Sequence, residues 1–216
     1  MDEHNTPQRL LILVGSPRRD GNSATLGEAV RAGAEAAGSE ATLLYLDDYL
    51  QHFLGDCRRC RREDGECSLQ DNFRSLLFDH FLPADGVVFC SPVYWYGPSA
   101  QMKAFFDRGF CYYAASYPQG ASVLARMAGK RIGLVLASEE TYPGVGLGII
   151  HQVQEYTRYI EGAFVGVVQG AGNRRGEVRH DPRQPLVEAR KLGEHFFTRH
   201  YSDYRLATVR KTQVWN

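Results

Sequence analysis

Short apolar runs alternate with longer amphipathic stretches along this chain. Leu10-Leu11-Ile12-Leu13-Val14 is unbroken and stops at Gly15. Such a run fits a strand buried on both faces, as in a parallel sheet, and predicts a strand over 9–15. A polar loop follows at 16–22, then a helix-forming stretch at 23–37 that ends near Gly38. Further strands are predicted at 41–46, 85–90, 130–137 and 163–169, with Ser91-Pro92 stopping the third strand. Helices are predicted at 69–80, 99–112, 146–161 and 185–200, and 47–67 has no regular period. Strands alternating with helices argue for an α/β domain, a five-stranded parallel sheet with helices on both faces. Right-handed crossovers leave few topologies for it.

Composition narrows the class. At 216 residues the chain suits a single domain over 1–200, with a C-terminal tail at 201–216 that either frays or packs on a neighbouring subunit. Lys and Arg total 25 and Asp and Glu total 25, so there is no basic excess to attract nucleic acid. With 44% hydrophobic and 23% charged residues the chain is too apolar to be disordered. No run approaches the roughly 20 apolar residues of a membrane span. Met1 to Arg9 is mostly polar, unlike a secretory signal. Together with an odd number of cysteines, five, this predicts a cytoplasmic protein with reduced thiols.

In an open parallel sheet, ligands bind beyond the carboxyl ends of the strands. The first such loop supplies the hydroxyls of Ser16, Ser23 and Thr25, the Asn22 amide and the Arg18 guanidinium. Gly21 allows close backbone approach, and the helix that follows presents unpaired N–H groups and a positive dipole end. These are the parts of a phosphate site. Neither GxGxxG nor GxxxxGK[ST] is present, so the site suits a single terminal phosphate. An ordinary polar loop with a Ser N-cap would use the same residues. The loop after the third strand, Pro92-Val93-Tyr94-Trp95-Tyr96-Gly97, puts three aromatics in a turn where they cannot all face one core. Gly97 is expected to let the chain turn. Such a loop can border a flat ring, or it can pack a dimer interface. Phosphate plus ring points to flavin mononucleotide (FMN). Ser138, after the fourth strand, lies on the same sheet edge and is a further candidate; Tyr142 nearby could stack.

These two motifs together resemble the NADPH-dependent FMN reductase and iron–sulfur flavoprotein group of the flavodoxin-like superfamily. The likeness rests on Gly15-Ser16-Pro17-Arg18 with Gly21-Asn22-Ser23, and on Ser91 to Gly97 with Ser99, Gln101, Met102, Lys103, Phe105, Asp107 and Arg108. It implies a flavodoxin-like sheet of order 2-1-3-4-5, bound FMN and a homodimer or homotetramer. It also implies that Ser16, Arg18, Asn22, Ser23 and Thr25 hold the phosphate, and that Pro92, Val93, Tyr94, Trp95, Tyr96 and Gly97 border the isoalloxazine. Lys103 and Asp107 have the spacing of a helical ion pair, not of catalytic groups.

The cysteine loop departs from the iron–sulfur pattern. Cys57, Cys60 and Cys67 remain, but Glu63 stands where a third thiolate would be. A four-iron cluster generally needs four thiolates, so no intact cluster is expected. A zinc site or a redox-active Cys57/Cys60 pair are the alternatives to a loop of reduced thiols. Cys90 and Cys111 are expected in the core. The histidines are scattered, with no ligand spacing.

The function expected is FMN-dependent NAD(P)H oxidation with delivery to a quinone, azo or nitro compound, flavin or metal acceptor in a ping-pong order. The cofactor carries such chemistry, so no catalytic side chain is required. A flavodoxin-like electron carrier without its own substrate, and a cofactor-free binding protein, are the alternatives.

Overall fold

A computed structural model describes residues 6–56 and 59–200. The 201–216 tail and Cys57 lie outside them. In chain order the elements are β1 (Arg9–Val14), α1 (Asn22–Ala36), β2 (Glu40–Tyr45) and α2 (Phe73–Ser75, running into a π-helical segment, Leu76–Phe81). Then come β3 (Gly86–Tyr94), β4 (Gly97–Pro98), α3 (Ala100–Tyr113), α4 (Gly120–Met127), β5 (Arg131–Ser138), α5 (Leu147–Tyr159), β6 (Ala163–Ala171) and α6 (Pro185–Glu194). No described helix is long and apolar enough to cross a membrane.

The main sheet has the order β2-β1-β3-β5-β6, every pair parallel. This is the flavodoxin-like arrangement, with a two-residue sixth strand, β4, added antiparallel to β3. Alternation along β1 divides the core in two. Leu10, Ile12 and Val14 face Val30 and Ala34 of α1 and Ala189 and Leu192 of α6. Leu11 and Leu13 face the other layer, with Phe105 of α3 and Ile150 of α5. Both faces of the strand are therefore buried, which is why its sequence is unbroken and apolar.

Three boundaries differ from the sequence expectation, and one helix, α4, is not expected from it. β3 continues through Pro92 to Tyr94. The Cys90 carbonyl accepts from Gly15 on the β1 side, so Pro92, two residues on, turns its missing N–H toward the same side. There β1 has already ended, while pairing with β5 persists to Pro92 opposite Ala137. A proline costs no ladder bond in that position. The helix expected from residue 69 begins only at Phe73, because Asp71 Oδ1 accepts from the Phe73 N–H and Oδ2 from the Gln51 and His52 N–H groups, fixing the preceding turn. α6 ends at Glu194 rather than 200. The chain leaves the helix to bury Phe196 over Gly86 and Gly133, where a Cβ would lie 2.4 and 2.8 Å from its ring. α4 is short, and its Val123–Met127 pair is too brief a pattern to read.

α1 and α6 touch backbone to backbone. A Cβ on Gly33 would lie 2.0 Å from the Arg190 carbonyl oxygen, and one on Gly193 would lie 2.0 Å from that of Val30. Elsewhere in a helix, Gly→Ala stabilises by about 1 kcal/mol. Here Gly33→Ala or Gly193→Ala should instead lower the unfolding free energy by about 1–3 kcal/mol, as overpacking does. Urea denaturation checks the sign.

Candidate functional site

A cleft of about 490 Å³ opens at the carboxyl edge of the sheet, between the loops that follow β1, β3, β5 and β6. Its two central loops are in direct contact. The Gly15 N–H donates to the Cys90 carbonyl at 2.7 Å, and a Cβ on Gly15 would lie 2.7 Å from Ser99 Oγ. Ser99 caps α3 by accepting from the Met102 N–H, and its own N–H donates to the buried Ser91 hydroxyl. Both serines are therefore occupied in tying the end of β3 to the start of α3.

At one end of the cleft α1 begins. Its N-cap is Gly21, which has no side chain to accept from the first-turn N–H groups. Those donors and the positive end of the helix dipole are left for an anion. Ser16 and Ser23, nearly buried, and exposed Arg18 line this end. Arg19 pairs with Asp47 and Asp48, and Arg175 pairs with Asp20, whereas Arg18 has no carboxylate partner among the described residues.

Asn22 also lines the cleft, but its amide is committed elsewhere. Nδ2 donates to the Gly172 carbonyl at 2.7 Å and Oδ1 accepts from the Val178 N–H at 3.2 Å. The side chain thus ties the segment after β6 to the start of α1. Gly172 N–H donates in turn to the Ser138 carbonyl. The far end of this strap is held by Asp181. Its carboxylate accepts from the Ala171 N–H at 2.7 Å and from the Arg183 guanidinium at 2.8 and 3.1 Å. Arg183 holds the Asp181 pKa down at about 2.

At the other end lies the β3–β4 hairpin, closed by Trp95 and Tyr96 at φ of 49° and 60°. Two positive-φ residues in a two-residue loop form the turn that ordinarily selects Asn-Gly. Bulky residues there are strained, and such strain gathers at functional sites. Gly97, expected to make the turn, is instead in β4. Trp95 is 97% exposed, and Tyr94 and Tyr96 are half exposed. The Tyr96 ring meets Tyr142 at 6.5 Å between centroids, and the neighbouring Tyr96 phenol raises the Tyr142 phenol above its ordinary pKa.

The structure therefore brings Ser16, Arg18, Asn22, Ser23, Pro92, Val93, Tyr94, Trp95, Tyr96 and Ser138 to one cleft. Thr25, buried one turn into α1, and Gly97 are not on its lining. Ser138 reaches the edge, but its hydroxyl donates to the Glu140 carbonyl at 2.7 Å. The strap residues Gly172 and Asn173, and the acidic pair Glu139 and Glu140, also line the cleft. The strap follows the last parallel strand, so the sheet-edge rule applied to that strand would have found it.

The remaining candidates lie apart. Lys103 and Asp107 form the expected i,i+4 pair, at 2.5 Å. Arg108 forms a buried ion pair with Asp71 and donates to the His52 carbonyl. Cys90 and Cys111 are core residues, and burial raises the Cys90 thiol pKa. Cys67 is paired across an isolated antiparallel bridge with Arg61, one residue past Cys60, and both thiols are half-buried. Among the described residues no group of three His, Cys, Asp or Glu side chains could hold a metal ion.

Two predictions follow the strap and the hairpin. The Asp181 pKa is lowered on folding, so its stabilisation is complete above about pH 4 and is lost as pH falls through 2. Asp181→Asn should remove about 1–2 kcal/mol at pH 7, allowing for the partial exposure of Arg183, and flatten the acid limb of the stability curve between pH 4 and 2. Replacing Trp95 by Asn together with Tyr96 by Gly should raise the unfolding free energy of the ligand-free protein by about 1 kcal/mol or more, by relieving the turn. Thermal and urea melts test both.

Comparison with known proteins fits this arrangement. Residues 8–155 match the family model for NADPH-dependent FMN reductase. A Bacillus subtilis (strain 168) relative that bears the name of an NAD(P)H-dependent FMN-containing oxidoreductase (YwqN) is 26% identical, over 85% of this chain and 96% of its own. An iron–sulfur flavoprotein of Archaeoglobus fulgidus is 28% identical over 90% of this chain and 81% of its own. Among solved structures, an NAD(P)H:quinone oxidoreductase from Methanothermobacter marburgensis superposes with a TM-score of 0.65 at 17% identity, covering 91% of this chain and all of that one, which shows the shared fold. The chain belongs to the NADPH-dependent FMN reductase family and is an NAD(P)H-dependent FMN oxidoreductase.

Proposed function

We propose that this oxidoreductase holds the FMN phosphate against the loop at 16–21 and the first turn of α1, and the flavin ring along the hairpin at 92–96. On this reading it uses NAD(P)H to reduce a quinone, an azo or nitro compound, free flavin or a metal ion. The observation that carries the reading is that a helix N-terminus without a side-chain cap and a strained aromatic hairpin border the same cleft. The cleft volume falls in the roughly 300–1,000 Å³ range of small-molecule sites. The donor set suits a phosphate monoester: two nearly buried hydroxyls, a helix N-terminus and one unpaired guanidinium.

Ser16, Ser23 and Arg18 would contact the phosphate directly. Asn22 would serve through its backbone N–H, because its amide holds the strap. Thr25 and Gly97 support α1 and the hairpin from behind. Pro92, Val93, Tyr94, Trp95 and Tyr96 would shelve the ring, with Ser138 across the cleft. When bound, FMN supplies the two-electron exchange between nicotinamide and acceptor. The balanced reaction with a quinone is NAD(P)H plus a proton plus quinone giving NAD(P)⁺ plus hydroquinone. No His or Cys is among the described residues that line the cleft; its titratable lining groups are Arg18, Arg174, Arg175, Glu139, Glu140, Tyr94 and Tyr96. Donor and acceptor share one mouth and occupy it in turn, which is a ping-pong order. Exposed Phe110 on α3, and Leu147 and Tyr159 on α5, support a homodimer or homotetramer.

The test is titration of apoprotein with FMN and with riboflavin. The wild type should bind FMN the more tightly. Arg18→Ala should weaken FMN by about tenfold and riboflavin little, since only the phosphate contact is charge-assisted. Equal affinity for the two flavins in the wild type would refute the phosphate assignment. Steady-state kinetics with a neutral quinone should give parallel double-reciprocal plots.

A further inference from the structure

The loop after β1 bends at 18–21. The Gly21 N–H donates to the Arg18 carbonyl at 3.0 Å, closing a four-residue turn whose corners are Arg19 and Asp20. Arg18, at the start of the turn, lines the cleft, and the Ser16 hydroxyl accepts from its N–H at 3.3 Å. Gly21, at the end of the turn, is the N-cap of α1. One short turn therefore sets the direction of both the Arg18 guanidinium and the uncapped helix start.

Neither corner residue is on the cleft lining, and each is tied away from it. Asp20 pairs with Arg175 of the strap at 2.8 Å. Arg19 reaches across to the end of β2. Its Nη1 and Nη2 donate to the two oxygens of Asp48 at 3.1 and 2.6 Å, and Nη2 also donates to Asp47 at 3.4 Å. The guanidinium carbon stands 3.7 Å from the centre of the Tyr45 ring. The other Asp47 oxygen is buried with no hydrogen-bond partner among the described residues, so Arg19 is the cation that compensates this carboxylate. A single exposed ion pair is worth little, but a forked pair backed by a second carboxylate and stacked on a ring is a network that holds one geometry.

We propose that Arg19, held by Asp47, Asp48 and Tyr45, is a positioning residue for the cofactor phosphate. It fixes the 18–21 turn in the form that presents Arg18 and the α1 N-terminus to the phosphate, without touching the phosphate itself. This rests on the phosphate placement proposed above, and adds residues off the cleft to those that decide FMN affinity.

The anchor has a sign that electrostatics alone does not. Removing two acids near a phosphate favours the anion through space, and a guanidinium released from them would add a contact to it. Loss of an anchor acts the other way. The turn must then be ordered at the moment of binding, and the phosphate is held less tightly.

The experiment titrates the full chain, stripped of cofactor, with FMN and with riboflavin, which lacks the phosphate. Flavin fluorescence reads the affinity, and the ratio of the two affinities within each variant cancels general damage to the cleft. Arg19→Ala should weaken FMN about fivefold and leave riboflavin nearly unchanged. Asp47→Asn with Asp48→Asn, which keeps Arg19 and removes two negative charges, should also weaken FMN, by about threefold, with riboflavin again unchanged. Tyr45→Leu alters no charge and should weaken FMN selectively by about twofold. A double Asn variant that binds FMN as tightly as the wild type, or more tightly, overturns the inference. So does an Arg19→Ala variant that loses both flavins equally. Thermal melts identify a charge variant that does not fold; Tyr45→Leu then decides, and an unchanged ratio in it overturns the inference. Equal wild-type affinity for the two flavins overturns the phosphate placement and this inference together. A wild type that prefers FMN, with variants that keep the whole preference, overturns this inference alone.

Discussion

Everything at the sheet edge depends on how closely β1 and β3 release their chains. The last bond between them runs from Gly15 N–H to the Cys90 carbonyl, and no side chain can stand at Gly15 because Ser99 Oγ occupies that space. β1 turns into the α1 approach while β3 runs two residues further beside β5. The gap that results is the cleft. The walls that would face the phosphate and the ring on the proposed reading are adjacent because the two central strands are adjacent and their connections diverge, the general reason why open parallel sheets bind ligands at this position.

The strap after β6 completes the enclosure. It is anchored at one end by the Asn22 amide and at the other by the Asp181 carboxylate. Asn22 thus belongs to two structures, the first turn of α1 and the wall opposite. Disturbing the strap would disturb the helix start, and the reverse. The Asp20–Arg175 ion pair adds a third tie, on the solvent side.

Much of the fold was legible because buried parallel strands must be continuously apolar. β1, β3, β5 and β6 each announced themselves in that way, and their alternation with helices gave the sheet order once the two loop motifs were recognised. What was not legible depended on tertiary contacts. Pro92 reads as a strand terminator, and only the early end of β1 makes it acceptable within β3. Phe196 reads as part of a helix, yet the glycine hollow at Gly86 and Gly133 draws it out. At the site, residue identity indicated which side chains gather but not how each is used. Asn22 and Ser138 are present at the cleft with their polar atoms already bonded inside the protein. Trp95 and Tyr96, not Gly97, adopt the positive φ of the turn, an inversion of ordinary turn chemistry that no local propensity predicts.

The backbone contact of Gly33 with Arg190 and of Gly193 with Val30 bears on ligand capture. It clamps the far end of the helix whose opposite end aims bare N–H groups into the cleft. α1 is thus a braced post, and the direction of its donors is set when the chain folds. On the proposed reading, an arriving phosphate would have no helix to order and no cap to displace, so little of its binding free energy would be lost to rearrangement.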